Sequence, residues 1–457
     1  MAWTRAWLSI SLGVLSIGTL AGCTDDGEEQ TSSDPSTSDG TTSVGPSTDT
    51  EPDPDDSGGC IPGSEGCACS QGVCVGSLEC VDDMCVIGPQ IDVDEGREVL
   101  AGVLLPMSAD VEADEFSWSQ VSGPAVEILG AETLNIAVLI PPDAPAGETV
   151  TLRLSASRNG VTEDADVDID ILADDFQDFL GGIGDPAELG STEGLDFEAS
   201  GMWVVSSEGF VSRFDPDGNF VQRYDVGGSP AGAEFSDEQL VLANPGAGEV
   251  QTINAVSGNQ GTLFTTYGGG SPVGAVNLPL PDNDGNVFVS TRLDQRVLRY
   301  DAESGSASLF LEDAALVNPN ALAFGPEGNA IYVGTVGHVW RVPLLEGGLA
   351  GEPEDYLDLG DDTGITYEVD GLAFDEGNNL WVGCPNASTL FLARYSSEGP
   401  TEVIRSWVDP APGIDRFVNL RFGNGDFGRR WLYWTNLGDG SVGRLLVGLE
   451  RGDSPLN

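Results

Sequence analysis

The chain of 457 residues contains no lysine, so that all 18 of its basic residues are arginine. It has a single histidine, His338. One histidine cannot build a His-ligated zinc centre, and any Ser-His-Asp triad would have to form around that one position. Against the scarce cations stand 75 acidic residues, for a net charge of −57. Such a surface repels nucleic acid and anionic headgroups, which removes nucleic acid as a partner, and it favours solubility and divalent cations. Long apolar runs are missing beyond the first 22 residues, and cysteine is nearly confined to one short stretch. What is present is a 40% hydrophobic content over a length sufficient for two or more cores.

The opening stretch, "MAWTRAWLSISLGVLSIGTLAGC", places one arginine before a short apolar run and small residues before Cys23. This is the pattern of a secretory signal over 1–22. Its end, Leu20-Ala21-Gly22-Cys23, resembles the lipobox of bacterial lipoproteins. The resemblance implies a diacylated Cys23, attachment to the membrane through that lipid and, with Thr24 following, a place at the outer membrane or cell surface of the envelope. Residues 24–59 contain no Leu, Ile, Phe or Trp and are dense in Asp, Ser, Thr, Pro and Gly. They cannot bury a core, so 23–59 reads as a disordered acidic linker that holds the rest away from the membrane.

Cys60, Cys67, Cys69, Cys74, Cys80 and Cys85 follow. An even number so closely spaced in a secreted chain implies a disulfide-rich module over 60–86, with fifteen possible pairings. A zinc site would need Cys-x2-Cys or His spacing, and the close pair here is Cys67-x-Cys69. Cys384, in "LWVGC", reads as a buried free thiol.

Between 87 and 174 lie short alternating strands such as "VTLRLSASRNG" and "DADVDIDIL", broken by turn residues, over a length suited to a β-sandwich. The stretch "FSWSQVSGPAVEILG" with "TVTLRLSASRNGVTEDADVDIDI" resembles the polycystic-kidney-disease type of immunoglobulin-like repeat, which implies a spacer or adhesive module.

From about 190 the chain repeats itself. One set of strands begins at 202, 240, 287, 331, 380 and 432, from "MWVVS" to "LYWTN", at intervals of 38 to 52 residues. A second set, such as "RVLRYD" and "HVWRVP", follows each copy after a turn. This is the spacing of propeller blades, so 175–457 reads as a six-bladed β-propeller. The last copy has no room for an outer strand. "DDFQDFLGG" at 174–182 is expected to supply it and close the ring. The fold class expected is thus all-β: a six-bladed propeller preceded by an immunoglobulin-like sandwich and a small disulfide-rich module.

The innermost strands read "EGLDF", "AGAEF", "NLPLP", "NALAF", "DGLAF" and "VNLRF". Aligning them puts Glu193, Ala231, Asn277, Asn320, Asp370 and Val418 at one equivalent position, where inner strands converge on the central channel. Four oxygen donors at one mouth suit a hard divalent cation such as calcium. A polar, hydrated channel lining is the alternative.

"STEGLDF", "NPNALAFGPEGNAIYVG", "VDGLAFDEGNNLWVG" and "VNLRFGNGDFGRRWLYWTNLGDGSVGRLLVGLERG" resemble the gluconolactonase, senescence-marker-protein and luciferin-regenerating-enzyme family of six-bladed propellers. The resemblance implies that Glu193, Asn277, Asn320 and Asp370 hold the metal and that Asp370 also helps activate water. Where sugar lactonases carry a substrate-gripping Arg two residues before the third-blade Asn, this chain has Ala275, and the usual Asn-Asp pair has become Asn277-Leu278. Two functions remain open. One is a metal-dependent hydrolase of lactones or related esters; the other is a non-catalytic display protein binding glycans or proteins. The closing "RGDS", at 451–454, carries no weight as an adhesion motif in so charged a tail.

Overall fold

The computed structural model describes residues 61–181, 189–360, 364–397, 399–408 and 415–452. The signal, Cys23, the linker and Cys60 lie outside the described residues. The chain divides into Met1–Gly59 and Cys60–Asn457, and the description below concerns the second unit. Among the described residues, no helix is long and apolar enough to cross a membrane.

The unit begins with a small hairpin, Leu78–Val81 and Met84–Ile87. Disulfides join Cys69 to Cys80 and Cys74 to Cys85, and Cys67 is also disulfide-bonded. The sulfurs of Cys69, Cys74 and Cys85 crowd together, but as disulfides they offer no thiolate for zinc.

Two four-stranded sheets follow, built from eight strands between Gln90 and Leu172. Thr149–Arg158 shows why they face each other, since Val150, Leu152, Leu154 and Ala156 alternate inward along it. Their neighbours in Val161–Leu172 repeat the pattern with Val167, Ile169 and Ile171 inside. The outward carboxylates of that strand are held across the ladder: Thr149 Oγ1 donates to Asp170, Thr151 to Asp168, Arg153 to Asp166 and Ser155 to Asp164.

Six antiparallel sheets of four core strands make up the rest. Their inner strands are Thr192–Glu198, Ala233–Ser236, Val276–Pro281, Leu322–Phe324, Gly371–Phe374 and Arg416–Phe422. In blade six, Phe176–Leu180 pairs antiparallel with Val442–Leu446 as the outer strand, so the ring closes on a segment from before the first blade. Closure of this kind joins the two ends of the propeller segment in one blade. Turns between strands carry a recurrent device in which Asp accepts from the backbone and side chain of Asn four residues on, as in Asp215 with Asn219 and Asp282 with Asn286.

The sandwich does not stand apart from the propeller as a spacer would. Its interior residues Leu100, Leu105, Trp118 and Leu152 form one hydrophobic cluster with Trp381, Leu392, Leu432 and Trp434 of blades five and six. Polar contacts pin the joint. Asn379 accepts from the Leu104 N–H at 2.9 Å and donates to its carbonyl at 3.2 Å, while Arg97 pairs with Glu376 at 2.7 Å. Asp375, fully buried, orders that turn by accepting from Gly377 N, Asn379 Nδ2 and Trp381 Nε1, and burial pushes its carboxyl up to about 7. A Cβ on Gly377 would lie 1.8 Å from the Leu104 carbonyl, so the turn must be glycine for the sandwich to seat. All of these residues sit where the inner strand of blade five ends rather than where it begins.

Candidate functional site

Strand pairing fixes which residues share a ring. Leu195, Ala233, Pro279, Leu322, Leu372 and Leu420 each pair with the third residue of the following strand, at Val204, Leu242, Val289, Val333, Val382 and Trp434. Counting back two residues from each gives Glu193, Ala231, Asn277, Asn320, Asp370 and Val418 as equivalent, the register expected from the repeats. Register breaks flank three of them, between Thr192 and Gly194, between Val276 and Pro279 and between Arg416 and Leu420, so Glu193, Asn277 and Val418 fall in bulges. A bulge re-aims side chains that the pleat alone would direct against a neighbouring sheet.

Three of the four oxygen donors interact. Asp370 is raised well above the usual carboxylate range by burial and by the charge of Glu193, while a hydrogen bond from the Asn320 side chain holds it down. Burial pushes Glu193 up to about 7. Asn320 is 5% exposed and its backbone is pinned, its carbonyl accepting from Ser290 Oγ at 2.7 Å. Asn277 belongs to the ring by register, and its carbonyl accepts from Gly232 N at 2.7 Å. Cys384 is a buried free thiol whose pKa is raised by burial and then by Asp370. His338 lies elsewhere, its Nδ1 3.2 Å from Asp355 Oδ1, and takes no part.

One cation at this mouth was not foreseen from the sequence. Arg292 lies in the turn after the second strand of blade three, and its charge lowers the pKa of both Glu193 and Asp370. Its Nη2 stands 3.1 Å from Glu368 Oε2. Nothing in a variable turn such as "TRLDQ" distinguishes a channel-facing arginine from a surface one.

Three residues further along the inner strands lies a second ring, Asp196, Glu234, Leu280, Ala323, Ala373 and Arg421. Here arginines stand directly against the carboxylates, although burial still raises Glu234 above the usual carboxylate range. Arg421 Nη2 is 3.1 Å from Glu234 Oε2 and its Nε is 3.9 Å from Asp196 Oδ1, with all three side chains almost fully buried. Asp196 also accepts from Phe235 N at 2.7 Å. The C-terminal segment packs against this end. Arg451 reaches Glu234 at 3.3 Å and Gly452 N donates to Phe374 O at 2.9 Å; about 30 Å³ of cavity lies between them and the inner strands, and cavities of about 390 and 180 Å³ open beside Arg451 against Asp196 and against Glu234. Arg451 of the "RGDS" stretch is thus seated against the second ring. A signal for this ring was present: charges at a strand position where the other blades carry Leu or Ala.

Residues 203–423 match the family model described as "SMP-30/Gluconolactonase/LRE-like region", so this stretch of the chain is similar to the propellers of that family. Among solved structures, one designated a gluconolactonase by its protein family is 17% identical, with a TM-score of 0.50 over 62% of this chain and 94% of its own. A luciferin-regenerating enzyme is 15% identical, with a TM-score of 0.50 over 62% of this chain and 99% of its own. At such identities these likenesses establish the fold. No curated protein matches the chain in sequence.

Proposed function

We propose that the protein is an envelope-anchored lipoprotein whose propeller holds a divalent cation, calcium by its all-oxygen donors, at Glu193, Asn320 and Asp370 with Asn277, and hydrolyses a lactone or related ester there. The observation that carries this reading is the uncompensated charge of the first ring. Burial drives both carboxylates up, the charge of Glu193 adds to the rise at Asp370, and the one cation acting on them among the described residues is already paired with Glu368. A divalent cation answers that imbalance, and carboxylate and amide oxygens are the donors calcium takes.

When bound, the cation supplies Lewis-acid polarisation of the substrate carbonyl. Asp370 takes a proton from the water whose oxygen attacks the carbonyl carbon. It returns that proton to the alkoxide oxygen as the acyl C–O bond breaks, giving a hydroxy acid from a lactone or an acid and an alcohol from an ester. Asn320 orients Asp370 through their hydrogen bond.

A second reading, a display protein that binds glycans or proteins around a structural metal, draws support from blade three. Leu278 is 3% exposed and packs with Leu280 and Leu322, and Ala275 offers the mouth no polar group. A panel of lactones and aryl esters assayed with calcium decides between them. Turnover lost in Asp370→Asn supports the hydrolase. Calcium binding without turnover of any member overturns it and leaves display.

A further inference from the structure

Arg292 is held at the mouth by its backbone as well as its charge. Its N–H donates to the Ala275 carbonyl at 2.9 Å, which fixes the turn beside the approach to Asn277. Its partner is fixed as well: Glu368 N donates to Asn386 Oδ1 at 2.9 Å, and Glu368 bridges to Val336 in the turn of blade four. The ion pair therefore links blade three to the segment entering blade five, close to Asp370. It is not buried, since the two side chains are 45% and 41% exposed. Contact runs through Nη2 alone, and among the described residues no hydrogen bond is made by Nε or Nη1.

A guanidinium bound to a carboxylate by one nitrogen keeps a second donor edge whose spacing matches two carboxylate oxygens. With a divalent cation balancing Glu193 and Asp370, and Glu368 balancing Arg292, the ring is locally neutral, and that open edge becomes its one strong recognition element for an anionic group. Everywhere else a net charge of −57 works against anions.

We infer that Arg292 is a substrate-positioning residue and that the substrates are lactones or esters carrying a carboxylate, which the free edge of Arg292 grips while Glu368 holds its other edge. This rests on the metal-dependent hydrolase reading for its catalytic half only. The test uses the calcium-loaded full chain. Glutarate binding is measured by calorimetry for wild type, Arg292→Lys and Arg292→Gln, alongside kcat/KM for mono-4-nitrophenyl glutarate and for neutral 4-nitrophenyl butyrate.

Glutarate affinity is expected to fall about 10- to 100-fold in Arg292→Gln, as the loss of a charge-assisted pair implies, and by less in Arg292→Lys. The preference for the anionic ester, read as a ratio of kcat/KM values and carried by KM, falls toward unity in Arg292→Gln. Calcium binding persists in both variants. The inference is overturned if wild type prefers the neutral ester, if Arg292→Gln binds glutarate as tightly as wild type, or if calcium binding is lost with Arg292, which would make the residue structural. Glutarate binding that depends on Arg292 with no ester turnover would sink the hydrolase reading and keep the anion site.

Discussion

The channel of this propeller carries two rings of side chains about 10 Å apart along the inner strands, three residues at roughly 3.3 Å each. They are built from the same six repeats and balance their charges in opposite ways. At the second ring, Asp196 and Glu234 are met by Arg421 and Arg451, all supplied by the chain itself. At the first, Glu193 and Asp370 face Arg292, whose charge is shared with Glu368. Under the proposed function, the difference is that between a structural ring and a metal-binding one. Burying ions is worthwhile to a fold only when partners are close, so a ring balanced internally serves stability and specificity, and a ring left unbalanced is set for something arriving from outside.

The largest effect should come from unbalancing the second ring. Arg421→Leu leaves two buried carboxylates without their main counter-charge, and chemical denaturation should show a loss of about 3 to 5 kcal/mol. The conservative removal of Arg451, half-exposed against the second ring, should cost far less. If the two variants lose the same stability, the second ring is not the unit described.

Next in size is the joint between sandwich and blade five. Gly377→Ala drives a methyl group into the Leu104 carbonyl and should lower stability by about 2 to 4 kcal/mol, read as a drop in denaturation midpoint. A silent substitution would show that the sandwich is not seated on the propeller as drawn.

A smaller effect follows from pH at the first ring. The Glu193 carboxyl is raised from 4.5 to about 7, so the folded state holds its proton more tightly than the unfolded chain. Its contribution is fully present below about pH 4.5 and is lost as pH rises toward 7. Without calcium, the stability difference between wild type and Glu193→Gln should therefore shift by about 2 kcal/mol against wild type from pH 5 to pH 8. Added calcium should reverse that shift at pH 8. Comparison with the variant removes the general repulsion of so acidic a chain, and parallel pH profiles would sink the prediction.

Much of this was legible in the sequence because a propeller writes its register into local repeats. The motif that ends in Leu-x-Phe and the strand that follows sit at a constant offset, which is why Glu193, Asn320 and Asp370 could be aligned without coordinates, and why the truncated sixth repeat pointed to Phe176–Leu180 for closure. What stayed hidden depends on long-range geometry. Arg292 reaches the mouth from a turn of no fixed pattern. The joint arises because Trp381, Leu432 and Trp434, which read as ordinary strand residues, share a core with Leu100 and Leu105 more than 270 positions away. Asp196, Glu234 and Arg421 were visible as misfit charges, but only folding shows that they meet.

The central claim is that the first ring takes a cation and the second does not. Calorimetric titration of calcium into the full chain tests it directly, with wild type, Asp370→Asn and Arg451→Ala compared under one buffer. One site per chain above the weak background of the acidic linker is predicted for wild type and Arg451→Ala, and its loss in Asp370→Asn. A site that survives in Asp370→Asn, or no site in wild type, would contradict the account.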